Sequence, residues 1–338
     1  MSGSGSSRPV ITVIGEALID LLPGPQPRTF TALPGGSPYN VAIGLARLGQ
    51  RVALMARLSG DAFGGILRDQ ATAEGINLAA APRAAELTTL AVVSLDADAA
   101  ASYDFHRHGT ADWQWTAGEV DRAPAQTAVL HFGSIASWTP PGDAQILGLA
   151  RRMHSRGDVL VSYDPNIRPR LLTDRHHGQQ RVERALQHAH LAKASTEDIA
   201  WLYPGATAEE VARRWLAIGP AVVVITASGS GADAFTADGR SLHRPARQIK
   251  VVDTIGAGDS FTAGLISSLA ERGRHSPAQL ASCAGPELAA IVDDAILVAS
   301  LNCQRQGNDP PTADDLESAR LADQEGEPTD AMVRKTRG

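Results

Sequence analysis

The sequence predicts an α/β domain built on a mostly parallel central sheet covered by helices on both faces. Three observations predict it. Compact apolar runs at residues 10–14, 128–133, 159–163 and 221–226 have the length and β-branched content of strands buried on both sides. Helical signals fall between the strand signals along the chain, the rhythm of βα units. Two glycine-containing turns, at 35–36 and 256–258, each lead into a helix start, which is how such a sheet offers backbone N–H groups to a ligand. No fixed-period repeat appears.

The 338 residues suffice for one large α/β domain or two ordinary ones. With 43% apolar and 20% charged residues the composition is that of a soluble globular protein. A formal charge of −6 supplies no basic field for nucleic acid. The clusters Arg151-Arg152 and Arg175-His176-His177 read as solvated faces. No apolar run reaches the ~18 residues of a membrane span. Residues 1–8 read as a flexible polar leader rather than a signal peptide, and the polar stretch 321–338 is expected to be a disordered tail. Cys283 and Cys303, with no export signal, fit reduced thiols in a cytoplasmic protein. No histidine joins a cysteine in a zinc spacing. His106 and His108 share a strand face but lack an ordered set of acidic neighbours, so they carry no metal assignment.

In the N-terminal half, the strand at 10–14 runs into Gly15-Glu16-Ala17-Leu18-Ile19-Asp20. An acid just past a buried strand lies at the edge where α/β sheets bind ligands, although Asp20 also suits a turn. The proline-rich stretch 23–34 reads as loop or edge structure. In Gly35-Gly36-Ser37-Pro38-Tyr39-Asn40, Ser37 fits an N-cap and Pro38 the first helical position. Val41, Leu45 and Leu48 give that helix its apolar stripe, and Gly49 closes it. Gly35 and Gly36 let a ligand approach the backbone, and Asn40, with a donor and an acceptor, suits a hydroxyl-rich one. A strand at 51–58 and a helix from Gly60-Asp61 to about Glu74 follow. Residues 88–95 and 101–107 read as an antiparallel pair around an Asp-Ala-Asp-Ala-Ala-Ala turn. With part of 18–34 they predict a small β lid that keeps water from the site. Phe105 and Arg107 either face a substrate from this lid or are half-buried strand residues.

In the C-terminal half, the strand at 159–163 ends in Asp164-Pro165-Asn166-Ile167-Arg168-Pro169. The two prolines stiffen the loop, so Arg168 is held ready for hydroxyl or phosphate contacts. A strand at 191–194 precedes Ser195-Thr196-Glu197-Asp198, an N-cap with acids in the first helical turn. The strand at 221–226 ends in Thr226-Ala227-Ser228-Gly229-Ser230-Gly231, a turn suited to nucleotide phosphates. A short strand at 249–252 then leads into Asp253-Thr254-Ile255-Gly256-Ala257-Gly258-Asp259-Ser260-Phe261. Phe261, Leu265 and Leu269 mark the helix that follows, which closes at Gly273. Gly256 and Gly258, at a helix N-terminus with unpaired N–H groups, make an anion site with Ala257 between them. An acid in that turn is out of place if the only task is to hold an anion. Asp259 fits an acceptor for the proton of a hydroxyl that attacks a phosphate beside it. Residues 289–301 form an apolar core helix, ending near Asn302.

Two of these runs, in this order, resemble the two signatures of one family. GGSPYNVAIGLARLG at 35–49 and DTIGAGDSF at 253–261 are similar to the N- and C-terminal signatures of the PfkB family of sugar and nucleoside kinases. The resemblance covers roughly residues 10–315. It implies a ribokinase-like three-layer fold: one domain over 9–320, with the lid drawn from about 18–34 and 88–112. It implies ATP-dependent phosphorylation of a primary hydroxyl of a monosaccharide. Asp20, Gly35, Gly36, Asn40, Phe105, Arg107 and Arg168 would contact the sugar. Thr226, Gly229, Gly231, Gly256, Gly258 and Asn302 would contact the nucleotide. The family often has Asn-x-x-Glu where this chain has Ser195 and Asp198, so either Asp198 or its neighbour Glu197 would organise Mg²⁺ through water. Asp253 and its loop would help form a monovalent-cation site for K⁺. The run Asp164-Pro165-Asn166-Ile167-Arg168-Pro169, and Ala111-Asp112, resemble bacterial fructokinases, so fructose is the expected acceptor. A 2-keto-3-deoxygluconate kinase is the alternative within the family, with Arg107 and Arg168 meeting the substrate's acid. Outside it stand a catalytically silent sugar or nucleotide sensor and a purely structural role for the glycines. No Gly-x-x-x-x-Gly-Lys-[Ser/Thr] motif is present. The expected partners are a sugar and ATP, with no nucleic acid or membrane, in a homodimer paired through an exposed lid edge.

Overall fold

Val10–Ile14 (β1) is buried at every position, as an apolar, β-branched run must be when both faces of its sheet are covered. The computed structural model describes residues 8–326 apart from 25, 27, 96–100 and 173. In it, β1 leads into a hairpin of β2 (Leu18–Pro23) and β3 (Phe30–Gly35), then α1 (Ser37–Arg47) and β4 (Arg51–Met55). The two-residue strands β5 (Leu58–Ser59) and β6 (Arg83–Ala84) flank α2 (Ala62–Ala73). A second hairpin, β7 (Leu90–Leu95) and β8 (Ala101–His106), precedes the single turn α3 (Ala117–Val120). Then come β9 (Thr127–Gly133), α4 (Asp143–Arg156), β10 (Leu160–Asp164), α5 (Arg175–Leu186), β11 (Leu191–Ser195), α6 (Thr196–Leu202) and α7 (Ala208–Ile218). The strands β12 (Val222–Thr226), β13 (Ala232–Thr236) and β14 (Ser241–Arg244) follow. Four helices come last: α8 (Ala257–Glu271), α9 (Pro277–Ala281), α10 (Gly285–Cys303) and α11 (Ala313–Gly326).

The large sheet has the order β14-β13-β12-β11-β10-β9-β1-β4. Every pair from β4 to β12 is parallel, and the β12–β13 and β13–β14 pairs are antiparallel. Alternate side chains of β12 enter different cores. Val222 and Val224 pack with Tyr39, Leu45, Phe261, Leu265 and Ile291 from α1, α8 and α10. Val223 and Ile225 pack with Leu149, Val182, Leu202 and Trp215 from α4 to α7. That period of two sets the three layers: helices, sheet, helices. The helices α8 and α10 approach closely at Gly264, where a Cβ would lie 2.9 Å from the Ala295 backbone. A second sheet, β3-β2-β7-β8, joins its two hairpins through parallel pairing of β2 with β7. Among the described residues, no helix is long and apolar enough to cross a membrane.

Three expectations are corrected. Residues 249–252 form no strand: the sheet ends at β14, so Val251 and Val252 have no neighbour to pair with and stay 55% and 58% exposed. The Val252 N–H donates instead to the Cys303 carbonyl at 2.8 Å. The strand expected at 51–58 stops at Met55 and resumes at Leu58. Between them Arg57 is buried, donating to Glu86, Glu119 and the Ala111 carbonyl. The tail expected from 321 is helical to Gly326, and Asp323 of α11 pairs with Arg247. Residues 1–7 of the expected leader, 327–338 of the expected tail and the turn residues 96–100 lie outside the described residues.

Candidate active site

The parallel strands β1, β9, β10, β11 and β12 all end at one edge of the sheet, and a cavity of about 450 Å³ opens there. Strand ends supply Glu16, Ser134 and Ile135; the second sheet supplies Leu18, Asp20 and Phe105. The start of α1 gives Gly36, Ser37 and Asn40; the loop after β10 gives Arg168; the start of α8 gives Thr254, Ile255, Gly256 and Asp259.

The α8 N-terminus is shaped by a braced turn. Gly256 is its N-cap, at φ 73°, a left-handed conformation that favours glycine. A Cβ there would lie 2.0 Å from Asn308 Oδ1. Asp253 accepts from the Ile255 N–H at 3.0 Å and the Gly307 N–H at 2.9 Å, tying the turn to the segment after α10. The Ala257 N–H closes onto the Thr254 carbonyl at 3.2 Å. This corrects the expectation that residues 256, 257 and 258 all offer N–H groups. Of these three, Gly256 and Gly258 donate to no other group among the described residues.

Asp259 lies in the first turn of α8 and is 8% exposed. Ser37 Oγ donates to its Oδ1 at 2.6 Å and Asn40 Nδ2 to its Oδ2 at 2.8 Å. Burial pushes its carboxyl above the ordinary 3.8, while these two donors and the charges of Lys193 and Arg168 work against the rise. The contact corrects the expected N-cap. Gly36, at φ 99°, occupies that position with no side-chain cap, so α1 starts at Ser37 and frees its hydroxyl for Asp259.

Asp20 faces the same cavity. Burial raises its carboxyl to about 6; Arg168 pulls it down and Asp259 pushes it up. Gly35 does not line the cavity. It makes room for Asp20, since a Cβ on it would sit 2.2 Å from Asp20 Oδ2. Arg168 is held by its own loop, donating to Asn166 Oδ1 at 2.6 Å. Arg107 is corrected: β8 ends at His106, and Arg107 is not among the residues that line the cavity. Its carbonyl instead accepts from Thr110 and Trp113. Glu16, absent from the expected set, is fully buried. Burial raises its carboxyl, against the nearby Ser134 hydroxyl, the Ala136 N–H and the charge of Arg168.

Beneath Asp259 lies a buried ion pair. Lys193 Nζ donates to Asp164 Oδ2 at 3.0 Å, and Thr262 Oγ1 of α8 donates to the same oxygen at 3.3 Å. A Cβ on Gly258 would lie 3.2 Å from Lys193 Nζ. Burial alone would lower the lysine, but Asp164, Asp198 and Asp259 outweigh it and hold it above 10.5. Beside it, His131 is pushed down to about 3 by burial and by the Lys193 charge, so it stays neutral. A lone lysine in the apolar strand 191–194 is the sequence signal for this pair.

Of the two acids considered for Mg²⁺, Asp198 is buried. It accepts from the Ile167 N–H at 2.7 Å and from the Ser195 N–H and hydroxyl at 2.8 Å each. Glu197 is exposed. Among the described residues, no three His, Cys, Asp or Glu side chains converge as a metal site.

The nucleotide-side residues scatter. Thr226 ends β12 and Gly229 lies in an open turn beside it. Gly231, at φ 100°, has a packing reason of its own: a Cβ would lie 2.0 Å from the Arg244 carbonyl oxygen. Asn302 is corrected. It is wholly buried, donating to the Ile255 carbonyl at 2.8 Å and accepting from the Asp309 N–H at 3.0 Å. It braces the Gly256 turn and has no surface for a ligand.

Comparison with known proteins agrees with this geometry. The model of the pfkB family carbohydrate kinases matches residues 9–315. The fructokinase of Rhizobium leguminosarum bv. trifolii is 34% identical over 264 residues, 77% of this chain and 79% of that protein. The structure of a fructokinase from Xylella fastidiosa with bound ATP aligns with a TM-score of 0.86 at 26% identity, covering 93% of this chain and 99% of the other. A double mutant of the Vibrio cholerae O395 fructokinase, with fructose, ADP and a potassium ion bound, aligns with a TM-score of 0.79 at 25% identity over 94% and 99% of the two chains.

Proposed function

This chain belongs to the pfkB family of carbohydrate kinases, and we propose that it is an ATP-dependent fructokinase, transferring the γ-phosphoryl group to a primary hydroxyl of fructose. The observation that carries the reading is Asp259. A buried carboxylate at the start of α8, held by Ser37 and Asn40, opens into the cavity that Asp20 and Arg168 also line.

The geometry supports the following roles. The sugar hydroxyl attacks the γ-phosphorus in line, and Asp259 accepts its proton. As the bond to the β-phosphate oxygen breaks, negative charge grows near the α8 N-terminus. The Gly256 and Gly258 N–H groups and the helix dipole stabilise it there. Asp20, Asn40 and Arg168 orient the sugar, and Thr226 and Gly229 flank the nucleotide. Mg²⁺ bound to ATP would neutralise charge between the β- and γ-phosphates, with Asp198 or Glu197 ordering its waters. Asp253 would organise a monovalent-cation loop; the potassium ion bound to the Vibrio cholerae double mutant supports this.

Charge favours a neutral sugar over a sugar acid. Glu16, Asp20 and Asp259 line the cavity with Arg168 as the single cation among its lining residues, so a substrate carboxylate would face like charges. With ATP, kcat/KM for fructose is expected to exceed that for 2-keto-3-deoxygluconate by on the order of 10². ADP release measured with fructose, ribose, 2-keto-3-deoxygluconate and nucleosides checks this. Preference for the acid would overturn the fructokinase reading, and tight sugar binding without ADP would favour a silent sensor.

Acid pH should also show the base. Asp259 works only when ionised, and its carboxyl is held above 3.8. Activity is therefore lost as pH falls through a value higher than that of an ordinary carboxylate. Asp20, at about 6, titrates in the same direction. A pH profile of kcat/KM that stays flat down to the ordinary carboxylate range would contradict the assignment.

A further inference from the structure

Three buried polar atoms on residues that line the cavity have no partner of ordinary hydrogen-bond geometry among the described residues: Asn40 Oδ1, Glu16 Oε1 and Ser134 Oγ. Glu16 and Ser134 are each 1% exposed, and the Ser134 hydroxyl lies near enough to Glu16 to work against the rise of its carboxyl. A buried acceptor and a buried hydroxyl left unpaired are costly, and native structures rarely keep them without a reason. Their placement is firm. Glu16 Oε2 accepts from the Ala136 N–H at 3.0 Å, which leaves only Oε1 free. Ser134 has φ 53° and donates its N–H to the Asp164 carbonyl at 2.8 Å. A serine in the left-handed region is strained, and such strain persists where the surroundings hold it, often at ligand sites. Glu16 follows β1 and Ser134 follows β9, and these strands are neighbours, so the carboxylate and the hydroxyl meet at one place. Asp259, whose two oxygens are held by Ser37 and Asn40, is the partner of the reacting hydroxyl.

We infer that Glu16 and Ser134 form a subsite for a sugar hydroxyl other than the one phosphorylated, and that this subsite decides which sugar is accepted. The inference rests on the fructokinase reading above. Glu16 accepts a hydrogen bond from that hydroxyl, and the Ser134 hydroxyl turns to donate to its oxygen. A sugar without a hydroxyl at this place forfeits the hydrogen bonds to both protein groups, which is how a polar site rejects a deoxy analogue.

The test uses the full chain with ATP, comparing wild type, Glu16→Gln and Ser134→Ala. Gln keeps an acceptor for the Ala136 N–H, and Ala removes only an unpartnered hydroxyl, so Ser134→Ala keeps the test open should Glu16→Gln fail to fold. Each variant is expected to raise KM for fructose about tenfold, with the loss falling on KM rather than kcat. Among 1-deoxy-, 3-deoxy- and 4-deoxyfructose, the wild type should discriminate against at least one by about tenfold or more. That same penalty should collapse in both variants. KM values within twofold of wild type, or deoxy penalties unchanged by both substitutions, overturn the subsite while leaving the kinase reading intact. A wild type inactive on every sugar would overturn both together.

Discussion

Replacing Asp259 with asparagine is expected to cut turnover by on the order of 10²–10⁴ while sugar and nucleotide binding stay largely in place. Asparagine has nearly the same shape and keeps one oxygen to accept from Ser37 or Asn40. It cannot take up the proton that the attacking hydroxyl must lose. The amide also carries no charge, so the nearby Lys193 and Arg168 lose a counter-charge, and binding will not be wholly unaffected. Steady-state ADP release gives the turnover, and calorimetry with fructose and with ATP gives binding. If Asp259→Asn turned over near the wild-type rate, the residue would not be the base, and the account of the α8 N-terminus would fall with it.

The second large effect is on stability. Lys193→Met leaves Asp164, a 2% exposed carboxylate, without its counter-charge. Removing one partner of a buried pair costs about 3–5 kcal/mol, because the other charge remains out of water. A denaturant midpoint, with an unchanged slope, measures that cost. One further outcome separates a lost charge from lost packing. The double variant Lys193→Met with Asp164→Asn should recover part of the loss, because no lone charge then stays buried. A single-variant cost below about 1 kcal/mol would mean that water reaches the pair and that it behaves like a surface one. The lysine also helps keep Asp259 ionised, so the acid limb of kcat/KM should move to higher pH in Lys193→Met.

Much of the site was legible in the residues themselves. Gly256 and Asp259 stood out because a glycine turn and an acid at a helix start make a local pattern. The stripe Val41, Leu45 and Leu48 and the stripe Phe261, Leu265 and Leu269 were read from spacing alone, and all six side chains enter the same core. What escaped was non-local. Ser37 looks like an N-cap in its own sequence, but its hydroxyl meets a carboxylate 222 positions away. Asn302 looks like a helix end near a ligand, but a hydrogen bond to the Ile255 carbonyl, 47 positions away, and one from the Asp309 N–H hold it buried. Lys193 reads as one charge within a strand and Glu16 as one just past a strand, and nothing within a few residues of either names its neighbours. The valines at 251 and 252 carry strand propensity, but a strand requires a partner, and the sheet had already ended.

The chain's order of residues by itself determined the layered α/β architecture, the two glycine turns and the acid at the head of α8. Those depend on side-chain period and backbone freedom, which act over a few residues. Only the tertiary structure decided which groups face the cavity unpaired, which charges are buried together, and which turn N–H groups remain open to a phosphate. Those depend on distances between strand ends that adjoin in the sheet but lie far apart in the chain, and burial then sets how strongly each charge is felt.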